Sequence, residues 1–188
     1  MDNLNKLLFD VCRNKEPLEK VLPYINQGLI DINQGNTDNN ASTPLMVAIL
    51  ENNIEMVKFL ASHKDIEIDK KDNYSRTALV LACSKGTIEC VRYLLTSEDV
   101  SPKPNLYYDK NIIPIRYALS FKNEDVLRYL IIEYNLEIGE DTREFLKTNK
   151  TREKLAQEML ELIRVRELSN NLENDLIDKE ISLKKRKI

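Results

Sequence analysis

The residues of this chain most able to do covalent or acid–base chemistry near neutral pH are one histidine, His63, and three cysteines, Cys12, Cys83 and Cys90. A Ser or Cys nucleophile needs a positioned base, and His63 alone could supply it. It falls in a loop after a helical stretch, and nothing in the spacing gives it a partner. Cys83 and Cys90 occupy positions expected to face a core, where a small thiol packs like Ala or Val. Neither the Gly-rich dinucleotide pattern nor the phosphate-cradling Gly-x-x-x-x-Gly-Lys-Ser/Thr pattern occurs, and Cys and His lack metal-ligand spacing. The expectation is a non-enzyme with no cofactor and no metal. An odd cysteine count without framework spacing predicts reduced thiols, hence a cytoplasmic or nuclear setting and no disulfide.

Charge narrows the partners. A net charge of −3 argues against a general nucleic-acid or anionic-membrane binder, which usually carries a basic excess. The one concentrated basic feature is Lys184-Lys185-Arg186-Lys187. It suits a helix C-terminus, where cations offset the backbone dipole, or else an import signal or phosphate contacts, which leaves a nuclear or nucleic-acid-associated regulator using this tail as the alternative function. No apolar run approaches the roughly 20 residues that span a bilayer. The stretch Met1 to Val11 carries Asp2 and Asp10 with no small-residue cleavage site after it, so neither a membrane nor a secretion route is expected.

The elements that position everything else come from a repeat. Thr43-Pro44-Leu45-Met46-Val47-Ala48 aligns with Thr77-Ala78-Leu79-Val80-Leu81-Ala82 at a shift of 34, and Ile54 to Leu60 then aligns with Ile88 to Leu94. A further shift of 36 brings in Ile113 to Ala118 and Val126 to Leu130, with Arg92-Tyr93-Leu94 returning as Arg128-Tyr129-Leu130. A worn copy precedes these: Leu8, Val11 and Cys12 form one apolar stripe, Leu18, Val21 and Leu22 a second, with Pro17 and Pro23 making the second helix irregular.

Each unit reads as helix, tight turn, helix. Thr43 and Thr77 are good N-caps, and Pro44 or Pro114 sits at the helix start, where a missing N–H costs nothing. Leu45, Ala48 and Ile49, or Leu79, Ala82 and Cys83, then share a face. The turn needs a residue tolerant of positive φ, offered by Asn52-Asn53, Gly86 and Asn123. Neither helix hides its stripe alone, so stacked neighbours must complete the core.

These units resemble the ankyrin repeat, over about residues 4 to 140, in the Thr-Pro-Leu starts, in Asp38 and Asp72 five places before the Thr, and in the closing Asp31-Ile32-Asn33. The resemblance implies an all-α solenoid of stacked helix-turn-helix units with short hairpin loops, and a role in binding another protein. It also implies a concave face made of hairpin tips and outward residues of each first helix. Carried over position by position, that face is Asn39, Asn40, Ser42, Leu50 and Glu51, then Asn73, Tyr74, Arg76, Ser84 and Lys85, then Tyr108, Asp109, Lys110, Ile112, Ser120 and Phe121. Aromatic and Arg residues dominate interface energetics, which singles out Tyr74, Arg76, Tyr108 and Phe121. Phe121 could instead pack beneath the turn. The chain departs from the family in placing Met46, Val80 and Arg116 where a bracing His is usual, and Ala41, Ser75 and Asn111 at the hairpin Gly, so looser hairpins are expected.

The organisation that follows is repeats over 1–140, a helical cap over 141–170, and a charged helical or flexible tail over 171–188. Leu155, Met159, Leu162, Val165, Leu168, Leu172 and Leu176 step by three or four residues, an amphipathic helix expected to break near Ser169-Asn170-Asn171. Its nearer part is expected to cap the stack, and its farther part offers a route to self-association.

Overall fold

The computed structural model describes residues 3–37, 40–108 and 111–185, with no side chains described at Tyr107, Tyr108, Asn111, Ile112, Ile113 or beyond Lys179. It divides into two compact units, Met1–Val126 and Leu127–Ile188.

The first unit is a stack of helix pairs. Helix α1 (Asn3–Asn14) is followed by a 3-10 turn, Leu18–Lys20, and a short α2, Leu22–Asn26. Pro17 and Pro23 break this second helix as expected: Val21 and Ile25 are buried, while Leu18 and Leu22 are half-exposed. Then come α3 (Pro44–Leu50) with α4 (Ile54–Ala61), α5 (Ala78–Lys85) with α6 (Ile88–Thr96), and α7 (Ile113–Ser120) leading into α8 (Glu124–Arg128). The first helices lie side by side in chain order, α1 on α3, α3 on α5 and α5 on α7, and α4 packs on α6. Ala48, Ala82 and Ala118, fully buried, let these helices approach closely.

Local chemistry explains the boundaries. Thr43 Oγ1 accepts the Met46 N–H at 3.3 Å and Thr77 Oγ1 accepts the Val80 N–H at 3.4 Å, each satisfying a donor that the helix start leaves orphaned. The bracing expected to be missing at Met46 is partly restored, because the Thr43 N–H points at the Met46 thioether, 3.4 Å away.

Each turn is made by the residue at the same place in the repeat: Asn52, Gly86 and Lys122 have φ of 52°, 79° and 59°. The expected turn residue of the fourth unit, Asn123, is thus corrected to Lys122. The helix fixes the frame: Asn53 and Asn123 N–H groups reach back to Ala48 and Ala118 carbonyls at 2.8 and 2.9 Å, leaving the preceding residue in the left-handed region whatever its type. Asn123 then does something else. Its Nδ2 donates to the Cys83 and Ser84 carbonyls of the preceding repeat at 2.6 and 2.7 Å, as Asn53 Nδ2 donates to Val11 and Cys12 at 3.3 and 3.2 Å. Gly86 makes room for this, since a Cβ there would lie 2.8 Å from Asn123 Oδ1.

In the second unit, the helix begun by α8 closes in a π turn, Tyr129–Glu133, followed by α9 (Glu140–Thr148), a 3-10 turn (Lys150–Arg152) and α10 (Glu153–Lys185). Its core is Tyr129, Leu130, Ile131, Leu136, Ile138 and Leu146 against Leu155, Ala156, Met159 and Ile163, with α10 packed on α9 and the π turn. The Arg166 guanidinium donates to the Ile131 and Leu136 carbonyls, both at 2.7 Å, and Arg143 pairs with Glu167.

Two expectations for this region change. α10 runs 33 residues without a break at Ser169-Asn170-Asn171, because the few tenths of a kcal/mol per residue that Ser and Asn cost, roughly 0.5, do not stop a helix propagated from both sides. The apolar stripe also divides: Leu155, Met159 and Ile163 are buried, whereas Val165, Leu168, Leu172 and Leu176 face solvent.

Candidate partner-binding face

The best-defined surface feature of the first unit is the hairpin tip of the third repeat. Asp72 organises it. Its Oδ1 accepts the N–H groups of Tyr74 and Arg76, both at 2.9 Å, while its Oδ2 accepts Arg76 Nε at 2.8 Å and meets the second guanidinium nitrogen at 2.6 Å. The Asp72 side chain is fully buried, so its charge is tolerated only because it is paired and hydrogen-bonded. Ser75, at the family's Gly position, takes φ of 59° and closes the turn through its N–H to the Asp72 carbonyl at 2.9 Å.

The consequence is a tip that is held rather than loose, contrary to expectation. Arg76 is clamped on one side by Asp72 and on the other lies 4.9 Å from the centre of the Tyr74 ring. Tyr74 itself is 61% exposed. The tip is also tied to its neighbour, since the Asn73 N–H donates to the Asn40 carbonyl of the preceding hairpin at 2.8 Å. In that hairpin Asn36 pairs with Ser42, Asn40 and Ala41 have φ of 53° and 58°, and Gly35 must lack a Cβ because one would sit 2.7 Å from the Ala41 carbonyl oxygen.

The other candidate residues sort by position. Glu51, Lys85 and Phe121 are equivalent places at the C-terminal ends of the adjacent helices α3, α5 and α7, and all three are exposed. Phe121, at 60% exposure, is therefore a surface residue and does not pack beneath the turn. Asn40 and Asn73 are exposed at their tips. Ser42 is corrected: it is buried, with its backbone engaged by Asn36, and offers nothing to a partner. The bodies of α3 and α5 are likewise enclosed from Pro44 to Ile49 and from Ala78 to Cys83, so each of these two helices contributes only its last turn. Asn39, Asp109 and Lys110 lie outside the described residues, and Tyr108 and Ile112 are described only as backbone partners in a two-residue hairpin, β1 (Tyr107–Tyr108) with β2 (Asn111–Ile112).

An acidic residue four before an Arg across a hairpin is the sequence signal for the Asp72–Arg76 pairing, which the family position alone does not convey. From sequence, the asparagines that bridge repeats read only as turn residues.

Of the residues able to do chemistry, the three cysteines are buried and His63 is half-buried. Cys12, Cys83 and Cys90 are at most 1% exposed, and burial pushes the Cys12 thiol up to about 12 and raises the other two as well, so the reactive thiolate is suppressed. His63 Nδ1 accepts the Asp65 N–H at 3.2 Å, and its ring meets Phe59 edge-on. Among the described residues no group of three His, Cys, Asp or Glu could hold a metal ion, and no helix is long and apolar enough to cross a membrane.

A family model described as ankyrin repeats, in three copies, matches residues 8–105 and 69–142, together well over half of the chain. No curated protein matches it. Among solved structures it is similar to a chain of the complex between a predatory endopeptidase from Bdellovibrio bacteriovorus and an immunity protein, with 21% identity and a TM-score of 0.48 over 79% of this chain and 67% of that one.

Proposed function

Because the chain belongs to the ankyrin-repeat family, whose members are generally protein–protein interaction modules, we propose that it is a non-catalytic module that binds another protein through its hairpin tips and the last turns of its first helices. The observation that carries this is the hairpin tip of the third repeat, where a buried carboxylate fixes the half-exposed Arg76 guanidinium and the backbone of exposed Tyr74. A guanidinium immobilised before binding, with an aromatic ring beside it, loses little entropy on contact, and such residue types dominate interfaces. Phe121 adds a second exposed aromatic, and Glu51 and Lys85 add charge of both signs beside it. A reducing compartment, cytoplasm or nucleus, suits three buried free thiols.

The test is to recover the partner by affinity capture on the full chain and titrate it with wild type, Tyr74→Ala and Phe121→Ala. Both side chains are mostly exposed, so circular dichroism should report an unchanged fold. Loss of about 2 kcal/mol of binding, roughly 30-fold, for Tyr74→Ala is expected of an interface centre. Unchanged affinity in both variants, with affinity lost on deleting Lys184 to Lys187, would move recognition to the basic tail.

A further inference from the structure

The second unit carries an apolar surface that its own packing does not use. Helix α10 has one face, Leu155, Ala156, Met159 and Ile163, that is buried, and Arg166 continues it by donating to the Ile131 and Leu136 carbonyls. On the other side, Val165, Leu168, Leu172 and Leu176 follow one another at steps of three, four and four residues and are 54 to 64% exposed. At 3.6 residues per turn these form one stripe about 17 Å long. Four large aliphatic side chains in a row are a contiguous patch, unlike the scattered apolar residues that every surface carries.

The charges at the two ends of this stripe say what covers it. Glu158 and Glu161 precede it on the same side of the helix and are exposed, and Lys179 follows it, also exposed. Glu161 stands seven residues before Leu168, and Lys179 stands seven after Leu172. A two-fold axis crossing the helix between Leu168 and Leu172 therefore sets Leu168 of one chain against Leu172 of the other, and Glu161 against Lys179, twice over. The exposed pair of Arg164 with Glu161 within the chain, at 3.8 Å, is weak enough to yield to that arrangement. A parallel pairing would instead stack Glu161 on Glu161 and Lys179 on Lys179, which like charges oppose.

From this self-complementarity we infer that the stripe pairs with a second copy of the same chain, α10 against α10, in antiparallel register. The contact is isologous, each helix supplying the same patch to the other, and it closes at two chains. It needs neither the partner nor the face assigned to the first unit, so the two readings stand or fall separately.

Sedimentation velocity of the full chain over a wide concentration series tests the pairing. Wild type should shift from monomer to dimer as concentration rises. Leu172→Lys should weaken the dimer by roughly a hundredfold, tenfold for each copy, with the circular dichroism spectrum unchanged because Leu172 is 64% exposed. Glu161→Lys and Lys179→Glu should each weaken it, and the double variant should restore it. A wild type that stays monomeric throughout overturns the inference, as does a dimer indifferent to Leu172→Lys. A double variant no better than the single ones removes the antiparallel register. A monomeric chain whose captured partner is lost on Leu172→Lys would give the stripe to a helix of another protein instead.

Discussion

Replacing Arg76 by Ala tests the hairpin tip directly. The substitution removes both bonds to Asp72 Oδ2, at 2.8 and 2.6 Å, from a carboxylate with no exposure and a guanidinium that is 27% exposed. Breaking a fully buried pair costs about 3 to 5 kcal/mol. An exposed pair is worth about 0 to 1 kcal/mol. The Asp72 end behaves like the first case and the Arg76 end like neither, while Oδ1 keeps its two backbone donors, so a loss of about 2 kcal/mol is expected. Asp72→Ala should cost more, about 3 kcal/mol, because it also strips the N–H groups of Tyr74 and Arg76 of their acceptor. The double variant should then fall short of additivity by about 1.5 kcal/mol, since the second substitution finds no partner left to orphan. Urea unfolding followed by circular dichroism measures all three, provided the denaturant slope stays constant. Arg76→Ala within about 0.5 kcal/mol of wild type, with the double variant additive, would refute the clamp and leave Tyr74 without its support.

Other outcomes follow from the same packing. Gly86→Ala should destabilise by about 2 kcal/mol through its positive φ and its close approach to Asn123; it should cost less in an Asn123→Ala background, where that approach is gone, and equal costs in both backgrounds would deny the contact. Arg166→Met should cost about 2 kcal/mol in thermal or urea unfolding by leaving the Ile131 and Leu136 carbonyls without a charged donor, and a neutral result would show them otherwise satisfied. The three thiols should resist a colorimetric thiol reagent at pH 8 in the native chain and all react in denaturant. Because burial raises the folded thiol values, the stability they contribute is complete below about pH 9, where unfolded thiols begin to ionise, and falls as pH climbs toward the Cys12 value of about 12; stability rising over that window would contradict the burial. At concentrations where the full chain is monomeric, a chain ending at Ser169 should keep its melting temperature, since residues 170–179 are exposed, whereas one ending at Lys154 loses Leu155, Met159 and Ile163 and should aggregate.

What the sequence disclosed depended on whether the cause was local. Thr43 and Thr77 declare helix starts because a cap is made by one side chain and its own third neighbour. The period declared the stack because the same apolar face must recur wherever the same neighbour does. Lys122 could not be recognised as the turn residue from its own type, since its positive φ is imposed by the Asn123 N–H reaching Ala118. Asn123 looked like the turn residue because its type suits one, while its actual task, bonding Cys83 and Ser84 about forty places earlier, depends on a neighbouring repeat. In the candidate face, exposure at Tyr74 and Phe121 agrees with the position carried from the family. The burial of Ser42 and the capture of Arg76 by Asp72 do not follow from position, because both are set by how the hairpin strands meet.

Arg166 bears on how the second unit disposes of carbonyls that its turns leave open. In the first unit, Asn53 and Asn123 show one solution, neutral amides that donate to carbonyls of the preceding repeat. A buried carbonyl left without a donor costs about 1 to 3 kcal/mol and gives a competing donor a place to bind. In the second unit, the carbonyls of Ile131 and Leu136 are occupied by a guanidinium from the chain's own helix, a charged donor that a neutral amide cannot readily displace. One charged side chain thus closes both acceptors from within the unit that carries them.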